Sequence, residues 1–335
     1  MSANLTTTYL GMKLKNPLVI SACPLVAEID QLRRLEEAGA AAAVLPSLFE
    51  EQIEHDGDEL SRVYDFHTDS FAESLTYFPE QEDYHTGPDD YLNTIAATKK
   101  AVGIPIIASL NGSSPGGWIR YAKMMQDAGA DAVELNIYFV PGNLEMTGPD
   151  VESRYFDLVA AVKQSLSIPL AVKVGPYFSA MANMGIRLAD AGADGLVLFN
   201  RFFQPDIHLE TMTAQSQLHL STPSELMIPL RWIAVLRGHV KASLAATGGI
   251  HDSVGLIKAI LTGADVGMIA STIYQRGIGQ VSQILAGLRA WMDENQYDSV
   301  EQMKGSMSLE NCPNPTAYQR GNYMKTLTSY VGKEI

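Results

Sequence analysis

Lys173 lies inside the apolar phrase PLAVKV, residues 169–174. A lysine in a buried strand is costly unless an anion or a ligand accompanies it. Three readings are open: an internal ion pair, a Schiff-base lysine whose pKa burial depresses, or a fixed cation beside an electron-rich cofactor. Amides close other apolar runs. Asn111 ends IPIIASLN, Asn136 ends AVELN and Asn200 ends GLVLFN, while Ser21 and Cys23 follow PLVI. One Asn at a strand end is ordinary turn chemistry. Several amides and a lysine converging on one face are harder to explain in that way.

Two further phrases carry phosphate chemistry. Thr247-Gly248-Gly249-Ile250 follows one apolar run, and Ala270-Ser271-Thr272 follows the next and opens a helical segment. Backbone N–H groups in two such adjacent turns would face one another and hold an anion, helped by a helix dipole. A phosphate, a cation and a set of amides together favour the cofactor reading of Lys173. A flavin ring needs hydrogen bonds around its pyrimidine edge. It also needs positive charge near N1 and O2, where the reduced form is anionic.

The elements that position these residues are written in a repeated phrase. It reads EAGAAAAVLP from Glu37, DAGADAVELN from Asp127, DAGADGLVLFN from Asp190 and LTGADVGMIAS from Leu261. Each copy is a helix end, a glycine suited to the left-handed closing position, and a short apolar run without alternation. A helix that repeatedly hands over to a strand buried on both faces marks a parallel α/β barrel. Eight strands are expected at 17–21, 41–45, 104–110, 132–136, 169–174, 195–199, 243–247 and 266–270, so the fold class is a (β/α)8 TIM barrel spanning the single domain 1–335. Residues 7–14 read as a hairpin closing the barrel bottom. Insertions follow strand two (49–91) and strand six (201–226), and a third irregular stretch covers 309–324. The first two emerge at the catalytic face, where they could cover a ligand.

Net charge is −14, and residues 50–90 hold 14 acids against the single base Arg62. The acidity thus belongs to the first insertion, read as a solvated lid, and the barrel itself is nearly neutral. Its histidines, His55, His67 and His85, lack metal-ligand spacing. An acidic chain argues against nucleic acid and anionic membranes. The chain has two Cys, so no disulfide framework, cysteine metal site or iron–sulfur cluster is expected. No signal peptide or membrane span is apparent, so a soluble, cytoplasmic protein is expected.

In order, NPLVISACPL, VELNIY, PLAVKVGP, ADGLVLFN, ATGGI and GADVGMIAS resemble the FMN-dependent dihydroorotate dehydrogenases. The likeness runs from about Leu10 to Leu288 and is nearer the soluble class 1 branch, since no membrane-associating N-terminal extension is seen. The first phrase also resembles the flavin domain of dihydropyrimidine dehydrogenase. The resemblance implies that FMN is the cofactor and that the protein is a homodimer acting on a small cyclic substrate. It places Asn136, Lys173 and Asn200 against FMN or the neighbouring substrate, and Ala22 and Cys23 against the ring. Gly248, Gly249, Ala270 and Ser271 would hold the phosphate. Ser21, Ser47 and Asn111 complete the expected cofactor contacts.

The departures concern substrate chemistry. The family continues from the strand-four Asn into Leu-Ser-Cys-Pro-Asn, whose Cys is the base; here the chain reads Ile137-Tyr138-Phe139-Val140-Pro141-Gly142. Phe139 stands about where Cys would, and Tyr138 is the nearby proton acceptor, a poor base unless tuned. The family's Thr-Lys-Ser after strand two is Leu45-Pro46-Ser47, so its Lys is missing. Ser74 to Pro79 stands in place of an orotate-binding Asn phrase. Arg201, where a small hydroxyl residue is usual, is either a solvated loop residue or a ligand for a substrate carboxylate. The leading expectation is an FMN oxidoreductase acting on CH–CH groups with Lys173 and Tyr138 at the reacting centre. A flavin-free lyase or isomerase using Lys173, and a flavin subunit active only with a partner, remain alternatives.

Overall fold

The computed structural model describes residues 3–49, 87–112, 118–320 and 323–329. Most of the acidic insertion, including His55, His67, His85 and the Ser74–Pro79 phrase, lies outside the described residues.

A hairpin comes first, β1 (Thr7–Tyr9) and β2 (Met12–Leu14), turned by Leu10 and Gly11, both at positive φ. There follow β3 (Leu18–Ile20), α1 (Ile29–Glu37), β4 (Ala42–Phe49), α2 (Pro88–Ala101), β5 (Ile106–Asn111), α3 (Trp118–Asp127), β6 (Ala132–Asn136), α4 (Gly148–Ser165), β7 (Leu170–Val174), α5 (Met181–Asp190) and β8 (Gly195–Leu198). A second hairpin, β9 (Pro205–His208) with β10 (Thr213–Ser216), interrupts the alternation. Then come α6 (Met227–Leu236), β11 (Ser243–Thr247), α7 (Ser253–Thr262), β12 (Val266–Ile269), α8 (Ser271–Arg276), α9 (Gln280–Glu294), α10 (Val300–Met303) and α11 (Tyr323–Ser329). Strands β3, β4, β5, β6, β7, β8, β11 and β12 pair in parallel and close into a barrel. This is the (β/α)8 fold that the repeated phrase specifies. Among the described residues, no helix is long and apolar enough to cross a membrane.

The repeat has a structural reason at each position. Gly39, Gly129, Gly192 and Gly263 all sit at φ between +105° and +121°, where a Cβ would be strained. The Asp in three copies has a shared role. Asp131, Asp194 and Asp265 accept the first free strand N–H of the preceding strand, from Ile106, Leu170 and Leu244 at 2.7–2.8 Å. Each also meets a cation, Lys99, Lys163 and Lys304 respectively. The first copy has Ala41 instead, and there Asn16 ties Gly39 O to Leu18 N.

Two of the eight strands differ from the sequence expectation by more than a residue. β5 begins at Ile106 and not at Ile104. β4 runs on to Phe49, four residues past the expected end, with a register shift between Val44 and Ser47. Pro46 explains the shift, because it has no N–H for the ladder. The hydroxyl of Tyr91 on α2 fills the break, donating to Ser109 O and accepting from Ser109 N.

Barrel-facing and helix-facing residues alternate along the strands. The interior is narrow-sided at the bottom, with Ala42, Ala132, Ala171, Ala245 and Gly195, and Tyr9 and Leu10 of the β1–β2 hairpin fill that space. A Cβ on Gly195 would stand 2.5 Å from Leu10. The hairpin therefore plugs the barrel, as the sequence implied. The polar interior positions are left for the opposite end.

Candidate active site at the carboxyl ends of the strands

Ser109, Glu134, Asn136 and Lys173 project into the barrel from β5, β6 and β7. All four are buried, and Asn136 is the register partner of both Asn111 and Lys173. A hydrogen-bonded chain crosses the mouth. Asn200 Nδ2, just past β8, donates to Asn136 Oδ1 at 2.5 Å. Asn136 Nδ2 donates to Ser47 Oγ at 3.4 Å, and Ser47 and Ser109 share a hydrogen at 2.8 Å. The three strands that supply Asn136, Ser47 and Ser109 are thus tied by side chains as well as by their ladders.

The ion-pair reading of Lys173 holds in part. Its Nζ lies 3.7 Å from Glu134 Oε1, one layer deeper in the barrel. That distance is too long for a hydrogen bond, and among the described residues Lys173 has no other polar partner. Its donors therefore remain available at the mouth. Glu134 is 1 % exposed, and neither carboxylate oxygen has a hydrogen bond. Burial pushes its carboxyl above the usual range, and Lys173 pulls it partly back. Sequence reading passed over Glu134 because it sits within an apolar run. The signal was its place two residues before Asn136, hence on the same face.

Ser21, Ala22 and Cys23 follow β3, with Ser21 N bonded to Ile269 O of β12. The Cys23 thiol is 6 % exposed, and burial raises its pKa against the opposing N–H groups of Leu25 and Val26, the Tyr274 side chain and Lys173. A thiol whose pKa is raised in this way is a poor nucleophile.

Tyr138 lies in the loop after β6. Its hydroxyl accepts the Phe203 N–H at 3.1 Å, and its ring packs on Phe202 with centroids 4.3 Å apart. Tyr177 touches the other side of Phe202, at 5.3 Å. An aromatic wall of Tyr138, Phe202 and Tyr177 therefore stands over β6, β7 and β8, while the neighbouring Phe139 ring lies under the Arg154 guanidinium. Arg201 is half-exposed and paired with Glu225 at 3.1 Å.

The expected phosphate turns lie side by side, because β11 and β12 are neighbours. Gly248 and Gly249 have φ of +87° and +80°. A Cβ on Gly249 would stand 2.4 Å from Leu226 N, whereas Gly248 faces open space. Two successive glycines of this kind turn backbone N–H groups toward one concavity. Ser221, from the long segment after β8, bridges both turns. Its Oγ accepts from Gly249 N at 3.4 Å and meets His251 Nε2 at 3.2 Å, and its N–H donates to Ser271 Oγ at 3.1 Å. The His251 carbonyl is held by Thr272 and Gln280. Ser221 and His251 were not legible as site residues, since their contacts join segments far apart in sequence.

A family profile described as dihydroorotate dehydrogenase matches residues 4–292. The chain belongs to the dihydroorotate dehydrogenase family. Like that family it is a flavin-type oxidoreductase, of the kind that acts on CH–CH groups. Its similarity to individual members is modest. It is 26% identical over 310 residues to the dihydroorotate dehydrogenase B (NAD(+)) catalytic subunit of Thermoplasma acidophilum, covering 90% of this chain and 98% of that one. It is 28% identical over 217 residues to a putative dihydroorotate dehydrogenase A (fumarate) of Aeropyrum pernix, covering 63% and 70%. It is 23% identical over 323 residues to the NAD-dependent dihydropyrimidine dehydrogenase subunit PreA of Escherichia coli, covering 91% and 77%. Among the described residues, no group of three or more His, Cys, Asp or Glu could hold a metal ion.

The dihydroorotate dehydrogenase cofactor class fits these residues on structural grounds. Lys173 is a buried cation with unused donors, and Gly248 faces open space in a turn that Ser221 bridges to Ser271 at the start of α8.

Proposed function

We propose that this chain is an FMN-dependent oxidoreductase that oxidises or reduces a carbon–carbon bond in a small cyclic substrate, dihydroorotate or a related compound. The observation that carries this reading is the buried Lys173 beside Asn136 and Asn200, at the same end of the barrel as the Gly248–Gly249 and Ala270–Ser271 turns.

When bound, FMN supplies the hydride-accepting N5. The backbone N–H groups of Gly248, Ala270 and Ser271 would hold its phosphate, with Gly249, whose N–H is bonded to Ser221 Oγ, shaping the turn. Lys173 offsets negative charge at the pyrimidine edge. Asn111, Asn136 and Asn200 donate and accept around ring and substrate, with Ser47 anchoring Asn136. Ser21, Ala22 and Cys23 would lie against the ring.

The substrate side differs from the family pattern. Phe139 occupies the place of the usual Cys base, and Tyr138 spends its hydroxyl on Phe203. These residues shape the pocket, and Arg201 becomes a carboxylate ligand only by leaving Glu225. A slow or altered proton transfer follows, since loss of a positioned base costs roughly 10²–10⁴-fold.

A homodimer accompanies this reading. Exposed apolar side chains at Phe203, Ile207, Leu209, Met212 and Leu218, on and around the unpaired β9–β10 hairpin, support a second copy as the occupant. Size-exclusion chromatography with light scattering tests it, and a monomer at micromolar concentration contradicts it. Two similar proteins are named as subunits, which supports the further reading that electrons leave through a partner chain.

The function is tested by anaerobic mixing of FMN-loaded protein with dihydroorotate and with dihydrouracil. Bleaching of the flavin band by either supports it. A band unchanged by both overturns it.

A further inference from the structure

Glu134 is the one acid facing the barrel interior among the described residues of the eight strands, and neither its oxygens nor the nearby Tyr9 hydroxyl has a hydrogen-bond partner. Such an arrangement is expensive if it only serves stability. A buried ion pair replaced whole by well-packed apolar residues is often neutral or stabilising. Its register partners on the flanking strands, Ser109 and Ala171, are small and uncharged.

The position of Glu134 gives it another use. It sits beneath Lys173, on the strand beside it, and approaches Nζ from the barrel bottom at 3.7 Å. Asn136, two residues later on the same face, occupies the layer of Lys173 itself. The lysine therefore has a negative charge on its inner side and open donors on its outer side. In a site of low dielectric, the field that reaches the mouth is the difference between these two charges.

We propose that Glu134 is a positioning residue and counter-ion that sets how strongly Lys173 stabilises the reduced flavin. This rests on the FMN reading above. With Glu134 ionised, the cation is partly cancelled and the bound flavin is harder to reduce. Without that charge, Lys173 acts unopposed on the anionic reduced ring and the potential rises.

The test measures the two-electron reduction potential and FMN dissociation constant of the full chain. The set is wild type, Glu134→Gln, Glu134→Asp, Lys173→Gln and the Glu134→Gln/Lys173→Gln pair. Glu134→Gln is expected to favour the reduced flavin by at least about tenfold, an upward shift of about 30 mV for a two-electron couple. Lys173→Gln shifts it downward, the pair returns it toward wild type, and Glu134→Asp stays near wild type. A merely structural Glu134 lowers melting temperature and leaves the potential in place. If Glu134→Gln fails to fold or to hold FMN, the pair against Lys173→Gln reads the same effect, a higher potential in the pair. Equal potentials in those comparisons overturn the inference while the FMN reading stands. A wild-type protein that takes up no FMN overturns both.

Discussion

Asn200 and Asn136 meet across the mouth of the barrel, Nδ2 of one donating to Oδ1 of the other at 2.5 Å. Asn136 is held at both ends of its amide, since its own Nδ2 donates to Ser47. Asn200 keeps its carbonyl oxygen without a partner among the described residues. The two amides therefore divide the work. Asn136 braces the rim, and the Asn200 carbonyl oxygen is the atom proposed to read a ligand.

That division predicts different mutant phenotypes. Asn136→Ala removes two hydrogen bonds at a buried position and costs about 1–3 kcal/mol of stability. Asn200→Ala removes only the bond to Asn136 and lowers melting less, while lowering kcat/KM by roughly 10-fold, a loss of about 1.4 kcal/mol. Thermal melts and steady-state kinetics on both variants check the contrast. Equal melting temperatures for the two would show that Asn136 is no brace.

The phosphate turn gives a second contrast. Gly249→Ala combines positive φ with a Cβ at 2.4 Å from backbone, so it costs about 3 kcal/mol, the upper end of what strained backbone carries. Gly248→Ala meets open space and carries only the conformational cost, about 1–2 kcal/mol. Denaturant titrations rank the two. FMN affinity falls in both, because a methyl group enters or distorts the same concavity.

Tyr138→Phe separates a wall residue from a base. The hydroxyl already accepts the Phe203 N–H, so its removal loosens one loop contact. We expect a loss of kcat below about 10-fold, and a base would lose roughly 10²–10⁴-fold. The pH profile of kcat should keep its shape.

Buried phenols govern the alkaline limit. Burial holds the Tyr9 and Tyr91 hydroxyls far above their ordinary value and pushes Tyr155 up to about 12. The folded state thus keeps protons that the unfolded state releases above about pH 10. Stability is fully present below that pH and falls as pH rises toward the folded values, by up to about 1.4 kcal/mol per unit for each tyrosine. Near-ultraviolet tyrosinate absorbance should show these three ionising together with loss of far-ultraviolet dichroism. Ionisation well before unfolding would contradict their burial.

The fold was legible because the repeated glycine has one conformational meaning and the following apolar run has another. The same logic put Asn136 and Asn200 at strand ends, where they are found. Glu134 was missed, since periodicity in a strand buried on both faces does not tell barrel from helix side. Ser221, His251 and Tyr91 were missed for a different reason. Their contacts to Gly249, Ser271 and Ser109 depend on long segments folding back, and nothing local encodes that return. The aromatic wall was partly visible: Tyr138 stood out as a departure, but Phe202 and Tyr177, which complete it, come from loops after β8 and β7.

The most direct measurement is the visible absorbance of the purified chain after incubation with FMN and removal of free cofactor. The account predicts a bound-flavin spectrum near one FMN per chain, weakened in Lys173→Gln and Gly249→Ala. A protein that stays colourless after incubation would contradict it.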